Sequence, residues 1–241
     1  MRTTLCVLFD VDDTLYDHTY ASQAALRAVT QREPGIASAG FQALLTANMK
    51  ILEALHPAVI ARQMSLDAAR SERFRQLLVR FGGDPARADA LAAAFHEAYE
   101  QHERLVPGVE QLLPRLRMFG VRMGIVSNNS LARQTGKLQR LGIGGLFDDL
   151  VVSDEHGVAK PDPRLFEVAL KRIGIAAPDS VHVGDRWDLD VVGARSAGVV
   201  PVWFNRFGLE PLAADPPAQV AQLDSFQDPG RAIGVILDYG R

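Results

Sequence analysis

Five short apolar or β-branched runs recur along the chain, at 4–9, 121–126, 149–152, 180–183 and 199–204. Between the later runs, apolar residues return every three or four positions. Parallel neighbours cannot be joined by a tight turn, so short strands alternating with helix-period connectors point to an α/β chain with a parallel sheet and crossover helices. The helix starts are legible. Pro107 and Gly108 open 109–118, Ser130 stands as the cap of 131–141, Asp162 and Pro163 open 164–173, and 188–197 runs into Gly198. The C-terminal part adds a short edge strand near 219–222 and a last helix near 229–238, with the Pro-rich 211–217 read as a loop.

The alternation is interrupted once. From Tyr16 to about Leu105 there is no strand pattern, but four amphipathic helical stretches at roughly 19–33, 39–55, 66–81 and 85–104. Ser65 and Asp84-Pro85 are start signals within them. An all-helical block between the first two strands of a parallel sheet is an inserted domain. Phe41, Phe74, Phe81 and Phe95 fall at helical spacing in it and read as its core.

Charge narrows the partners. With 26 basic and 29 acidic residues interspersed and a net charge of −3, the chain has no basic stripe for a nucleic acid polymer and no cationic amphipathic helix for a membrane. The run 5–9 is too short for a signal peptide, and no later run could span a bilayer, so a cytoplasmic protein handling a small molecule is expected. Cys6 is the one cysteine and lies in a strand pattern, where it reads as a small core residue.

In an open parallel sheet, ligands bind beyond the C-terminal strand ends. Here those ends are polar. Asp10-Val11-Asp12-Asp13-Thr14 follows the first run, Ser127-Asn128-Asn129 the second, a loop reaching Lys160-Pro161 the third, and Gly184-Asp185 with Asp188 and Asp190 the fourth. Alternation puts Asp10 and Asp12 on one side of an extended chain. Two carboxylates there repel unless a divalent cation neutralises them, and Asp185 is a third oxygen donor from another strand end. Hard oxygen ligands with room for water and phosphate describe a magnesium site. Ser127, Lys160 and the strand-end amides, Val11 among them, add donors suited to a phosphoryl group.

These residues resemble the haloacid dehalogenase-like hydrolases. The DxDxT motif matches Asp10, Asp12 and Thr14, and a strand-end hydroxyl matches Ser127. A lysine followed by Pro-Asp-Pro matches Lys160 to Pro163, and GDxxxxD matches Gly184, Asp185 and Asp190. All four occur in the family's order. The resemblance implies a Rossmann-like, doubly wound catalytic core of residues 1–16 and 106–241, with a helical cap domain at 17–105. It implies a magnesium-dependent phosphatase that acts on a small phosphomonoester through an aspartyl-phosphate, with nucleotide or sugar phosphates favoured. Asp10 would be the nucleophile and Asp12 the general acid and base. Asp10, Asp185 and the backbone carbonyl of Asp12 would hold magnesium, with Asp190 orienting its shell. Ser127, Asn128 and Lys160 would bind phosphoryl oxygens. The working form is expected to be a monomer or homodimer.

Within the family, an alkoxide needs a proton to leave and a halide does not, so Asp12 favours phosphate esters over haloacids. A phosphonate hydrolase using a cap lysine is the other branch, and Lys50 is the lysine the block offers. A phosphoacceptor signalling module or a silent metabolite-binding protein are readings from another class. The former would carry its phosphoacceptor on a later strand, and the intact acidic set argues against the latter. Asp13 and Asp17 read as solvated or capping residues, and Arg186 and Trp187 as either pocket mouth or loop packing. No zinc spacing occurs: His96 and His102 sit six apart on one helix and His182 lies in a strand pattern.

Overall fold

The computed structural model describes residues 6–238 apart from 32, 62 and 212–219. They divide into two compact units, one made of the described residues up to Asp17 and from Arg104 onward, the other of His18–Glu103.

The first unit is built on six strands, β1 (Cys6–Phe9), β2 (Arg122–Ser127), β3 (Asp149–Val152), β4 (Ser180–Gly184), β5 (Val200–Phe204) and β6 (Ala221–Leu223). All pair in parallel, in the order β3-β2-β1-β4-β5-β6. The connection after β3 therefore returns past β2 and β1 to place β4, and the winding reverses between β1 and β4. Such a reversal opens a crevice at the strand ends. Both strands are fully buried, as expected of central strands in a parallel sheet.

The second unit is helical: α1 (His18–Thr30), the short α2 (Pro34–Ala37), α3 (Phe41–Ile60), α4 (Leu66–Arg80) and α5 (Ala88–Gln101). Its core gathers Leu26, Val29, Ile36, Leu44, Phe74, Leu77, Leu78 and Phe95 from all five helices, and Phe41 and Phe81 pack partly buried at its margin. Ser65 caps α4 by accepting from Ala68 N–H at 3.1 Å, and Asp84 accepts from Ala86 N–H at 3.0 Å before the turn that leads to α5.

The remaining helices are α6 (Val109–Met118), α7 (Leu131–Arg140), α8 (Ser153–His156), α9 (Pro163–Ile173), α10 (Val192–Ser196) and α11 (Pro229–Asp238). Leu165, Phe166, Ala169, Leu170 and Ile173 of α9 pack on Cys6, Leu8, Val126 and Val151. Cys6 is inside that cluster, and burial pushes its thiol up to about 12, so it is packing and not a nucleophile. Two local expectations differ. Ser130 occupies the cap position of α7, but its hydroxyl makes no capping bond; Asn129 Oδ1 accepts from Ser130 N–H instead, at 2.9 Å. The expected helix at 188–197 begins as a π-turn, Trp187–Val191, before α10. Both Asp190 N–H and Val191 N–H reach the Arg186 carbonyl, and this wider turn directs Asp190 back toward β4. Trp187 packs edge-on against Trp203 at 4.9 Å, which decides its role as packing. The Pro-rich 211–217 falls almost entirely outside the described residues, whereas the expected edge strand appears as β6. Among the described residues no helix is long and apolar enough to cross a membrane.

Asp17, the residue just before α1, is buried and not solvated. Its side chain is 1% exposed and accepts from Arg104 Nε at 2.9 Å and Nη2 at 2.6 Å, while Arg206 Nη2 binds its other oxygen. Asp17 N–H also donates to the Arg104 carbonyl, and Tyr16 bridges Leu105. Burial alone would raise this carboxyl, but the two guanidinium groups outweigh it and hold it below the usual range. Removing one partner of a buried pair costs about 3–5 kcal/mol, less where a partner is solvated as Arg104 is, so Asp17→Asn should lose roughly 2–3 kcal/mol in urea unfolding at neutral pH. Because the folded pKa is depressed, this contribution is present above the unfolded value of about 3.9 and fades as pH falls through the folded one. The gap between wild type and variant should narrow in acid; a gap independent of pH would show that the ion pair is not its source.

Candidate active site

The chain leaves β1 into a tight loop made possible by Asp13, whose φ of 61° is in the left-handed region that few non-glycine residues enter. With Asp13 so placed, the N–H groups of Leu15 and Tyr16 both return to the Val11 carbonyl, at 2.9 and 2.8 Å. Asp10 is thereby left at the strand end and is 7% exposed. Asp12 lies just beyond it, with its own set of partners.

Lys160 is the centre of the Asp10 side. Its Nζ donates to Asp10 Oδ1 at 2.5 Å and to Asp190 Oδ1 at 2.6 Å, and its side chain is 2% exposed. The loop that carries it is tied to the end of β2. Asn128 Nδ2 donates to the Lys160 carbonyl at 2.9 Å, and Asn128 Oδ1 accepts from Lys160 N–H at 2.7 Å. Both ends of the Asn128 side chain thus engage the Lys160 backbone and tie the lysine loop to β2, while the expectation for Asn128 concerns its amide toward a phosphoryl oxygen, a separate contact.

Asp190 is supported on all sides. His182 Nε2, on β4, lies 3.0 Å from its Oδ1, and Arg186 N–H donates to Oδ2 at 3.0 Å. Glycine at 184 is required by this arrangement, because a Cβ there would lie 2.3 Å from Asp190 Cγ. Gly193 serves the same end on α10, where a Cβ would stand 3.0 Å from Pro161 Cα beside the lysine loop. Arg186 turns away and forks onto Asp188 at 3.0 and 2.8 Å, and so does not bind the cluster through its guanidinium.

One oxygen each of Asp10, Asp185 and Asp190 lie within 4.8 Å of one another. The Asp12 carboxylate is outside that group. Burial pushes Asp10 up to about 7 in spite of Lys160, with Asp190 and Asp12 adding repulsion. Burial, then Asp10 and Asp190, push Asp185 up to about 9. Asp190 is held low against its burial by Lys160 and His182, and the two carboxylates keep Lys160 protonated against its own. Three carboxylates face one ammonium, and the excess negative charge and hard oxygen donors fit a small divalent cation.

Asp12 has different neighbours. Lys137 Nζ bonds its Oδ1, while Gln134 Nε2 and Asn129 Nδ2 approach its Oδ2 at 3.1 and 3.4 Å. Gln134 Nε2 also reaches Ser127 Oγ at 2.8 Å, which joins the strand-end hydroxyl to the same group. The sequence reading places Asn129 at the strand end without a role and leaves Lys137 and Gln134 unmarked. The signal was present in α7: Gln134 and Lys137, three apart beside Leu138, occupy the buried stripe where apolar residues belong.

Comparison with known proteins adds the chain's relatives. A family model described as haloacid dehalogenase-like hydrolase matches residues 4–198. A glyceraldehyde 3-phosphate phosphatase of Methanopyrus kandleri is 35% identical over 202 residues, covering 83% of each chain. A phosphoserine phosphatase of Thermus thermophilus is 34% identical over 228 residues, covering 85% of this chain and 90% of its own. Among solved structures, the HAD-hydrolase YfnB of Bacillus subtilis, bound to magnesium, aligns with a TM-score of 0.75 at 24% identity over 96% of this chain and 97% of that one. At that identity the likeness concerns the fold.

Gly184→Ala tests the packing under the cluster. Overpacking of this kind costs about 1–3 kcal/mol, and displacement of Asp190 by about an ångström should cost around 10²-fold in turnover of para-nitrophenyl phosphate. Unchanged melting and turnover would mean that Asp190 is not held against this glycine.

Proposed function

The chain belongs to the haloacid dehalogenase-like hydrolases, and on that premise we propose that it is a magnesium-dependent phosphatase hydrolysing a small phosphomonoester through a phosphoryl group on Asp10. The observation that carries this reading is the different treatment of two carboxylates two residues apart. Asp10 is bound by Lys160 within the acidic cluster, and Asp12 is bound by groups of α7 outside it. One nucleophile and one proton carrier are what stepwise ester hydrolysis needs. A dehalogenase needs no such acid in its first step, because a halide leaves without a proton.

Asp10, Asp185 and the backbone carbonyl of Asp12 would hold the cation, with Asp190 beside them. When bound, it offsets the charge of the carboxylates and of the phosphoryl oxygens. In the first half-reaction an Asp10 oxygen attacks phosphorus, the ester P–O bond breaks, and the Asp12 proton goes to the departing oxygen. In the second, water attacks phosphorus and gives its proton to Asp12, and the bond to Asp10 breaks to release phosphate. Lys160 and Ser127 stabilise the phosphoryl oxygens, and Lys160 returns to Asp10 afterward.

The similar relatives are named for a triose phosphate and an amino-acid phosphate. Both classes therefore join sugar phosphates and nucleotides in a substrate screen with magnesium. Cytoplasmic location and a monomeric or dimeric state are part of the same proposal.

Chelation with EDTA should abolish turnover and magnesium should restore it; full activity in metal-free buffer would overturn the metal assignment. Asp10→Asn should form no phosphoenzyme. Asp12→Asn should lose about 10²–10⁴-fold on alkyl esters, where acid assistance matters, and less on para-nitrophenyl phosphate. Acid-quenched Asp12→Asn enzyme should carry phosphate on Asp10 by mass spectrometry. Phosphate on another residue would refute the assignment.

A further inference from the structure

Lys137 lies in none of the four motif segments, yet it is among the most enclosed charges of the sheet unit. Its side chain is 8% exposed, and its Nζ stands 4.3 Å from the centre of the Tyr16 ring while it bonds Asp12 Oδ1. Gln134, one helical turn earlier and fully buried, spans Asp12 Oδ2 and Ser127 Oγ. An ammonium group withdrawn from water loses several kcal/mol of hydration. A folded surface helix has no need of that loss, since α7 could carry an apolar residue at this position. The ammonium instead faces one carboxylate oxygen, and the amide holds the other.

We propose that Lys137 and Gln134 are positioning residues for general acid–base catalysis, orienting the Asp12 carboxyl and stabilising the carboxylate it becomes once its proton has passed to the leaving group. The proposal rests on Asp12 being the acid and base of the reaction. Its chemistry adds no new step. The proton moves from Asp12 to the ester oxygen as that P–O bond breaks, and the negative charge that appears on Asp12 is met by a donor already in place. In the second half-reaction the same pair holds the carboxylate toward the attacking water. Positioning of this kind is worth about 10²-fold when a reacting group is otherwise free to turn away. Residues that act through a shared group are also non-additive with it.

The test uses phenyl phosphate and para-nitrophenyl phosphate, which have the same ring and differ in how much the leaving oxygen needs a proton. Measured with the magnesium-loaded enzyme, Lys137→Met should lose about tenfold more kcat/KM on phenyl phosphate than on the nitrophenyl ester. On phenyl phosphate, Asp12→Asn combined with Lys137→Met should be within a few-fold of Asp12→Asn alone. Lys137→Gln, which keeps a donor on a side chain one bond shorter and without the charge, should show the same leaving-group dependence to a smaller extent, and it carries the comparison if the methionine variant does not fold. A loss equal on both esters, or a double variant in which the two losses multiply, would assign Lys137 to structure alone and overturn the proposal. The underlying reading fails differently: in that case Asp12→Asn by itself shows no dependence on the leaving group.

Discussion

Enclosing the Lys160 ammonium at the strand ends is the costly act around which the sheet unit is arranged. Water is excluded from it, so two carboxylates from separate places in the chain must meet it: Asp10 from the end of β1 and Asp190 from the π-turn after β4. Each of those depends on another feature. Asp190 needs the open space above Gly184, the imidazole of His182 and the wide turn at Trp187–Val191, and the lysine backbone needs both ends of Asn128. Removing one member leaves a buried charge unmet, an error worth several kcal/mol. That dependence links the ends of β1, β2 and β4 to the β3–α9 loop through one connected set of bonds.

The same strand end sorts two like residues into unlike surroundings. Asp10 and Asp12 would both titrate as ordinary carboxylates in water. Within the protein, Asp10 sits among other acids, where burial and repulsion raise it and a cation is called for. Asp12, just before the left-handed Asp13, lies within reach of α7, where amide and ammonium donors meet it. The loop geometry, more than the identity of the residues, gives the two carboxylates their separate surroundings.

The parallel sheet, the helical block and the acidic strand ends were legible because each leaves a local trace: a run of apolar residues, a period, a polar residue where a strand must stop. The limits of β3 and of α6 follow the sequence pattern to the residue. Other features leave no such trace. The Asn128 contact joins positions 32 apart, and nothing local announces it. The π-turn is set by what Asp190 must touch and not by helix propensity, so a regular helix was the natural reading of 188–197. On α7, Gln134 and Lys137 were visible as polar residues on a buried stripe, but a short helix rich in charge reads equally well as a solvated one until its neighbours are known.

The ion pairs at Asp17 bear on how this chain can change over time. The chain departs from the sheet unit at Asp17 and comes back at Arg104, and these two residues are bonded to each other through side chain and backbone. Arg206, after β5, secures the pair to the sheet. Both ends of the intervening segment are thus pinned side by side by residues that belong to the core. Closing a long loop costs an entropy that grows only with the logarithm of its length, and here closure is already met at the neck. Helices within the segment can be lengthened, exchanged or replaced wholesale while the strands of the sheet unit keep their register, so the inserted segment is free to vary as a cassette.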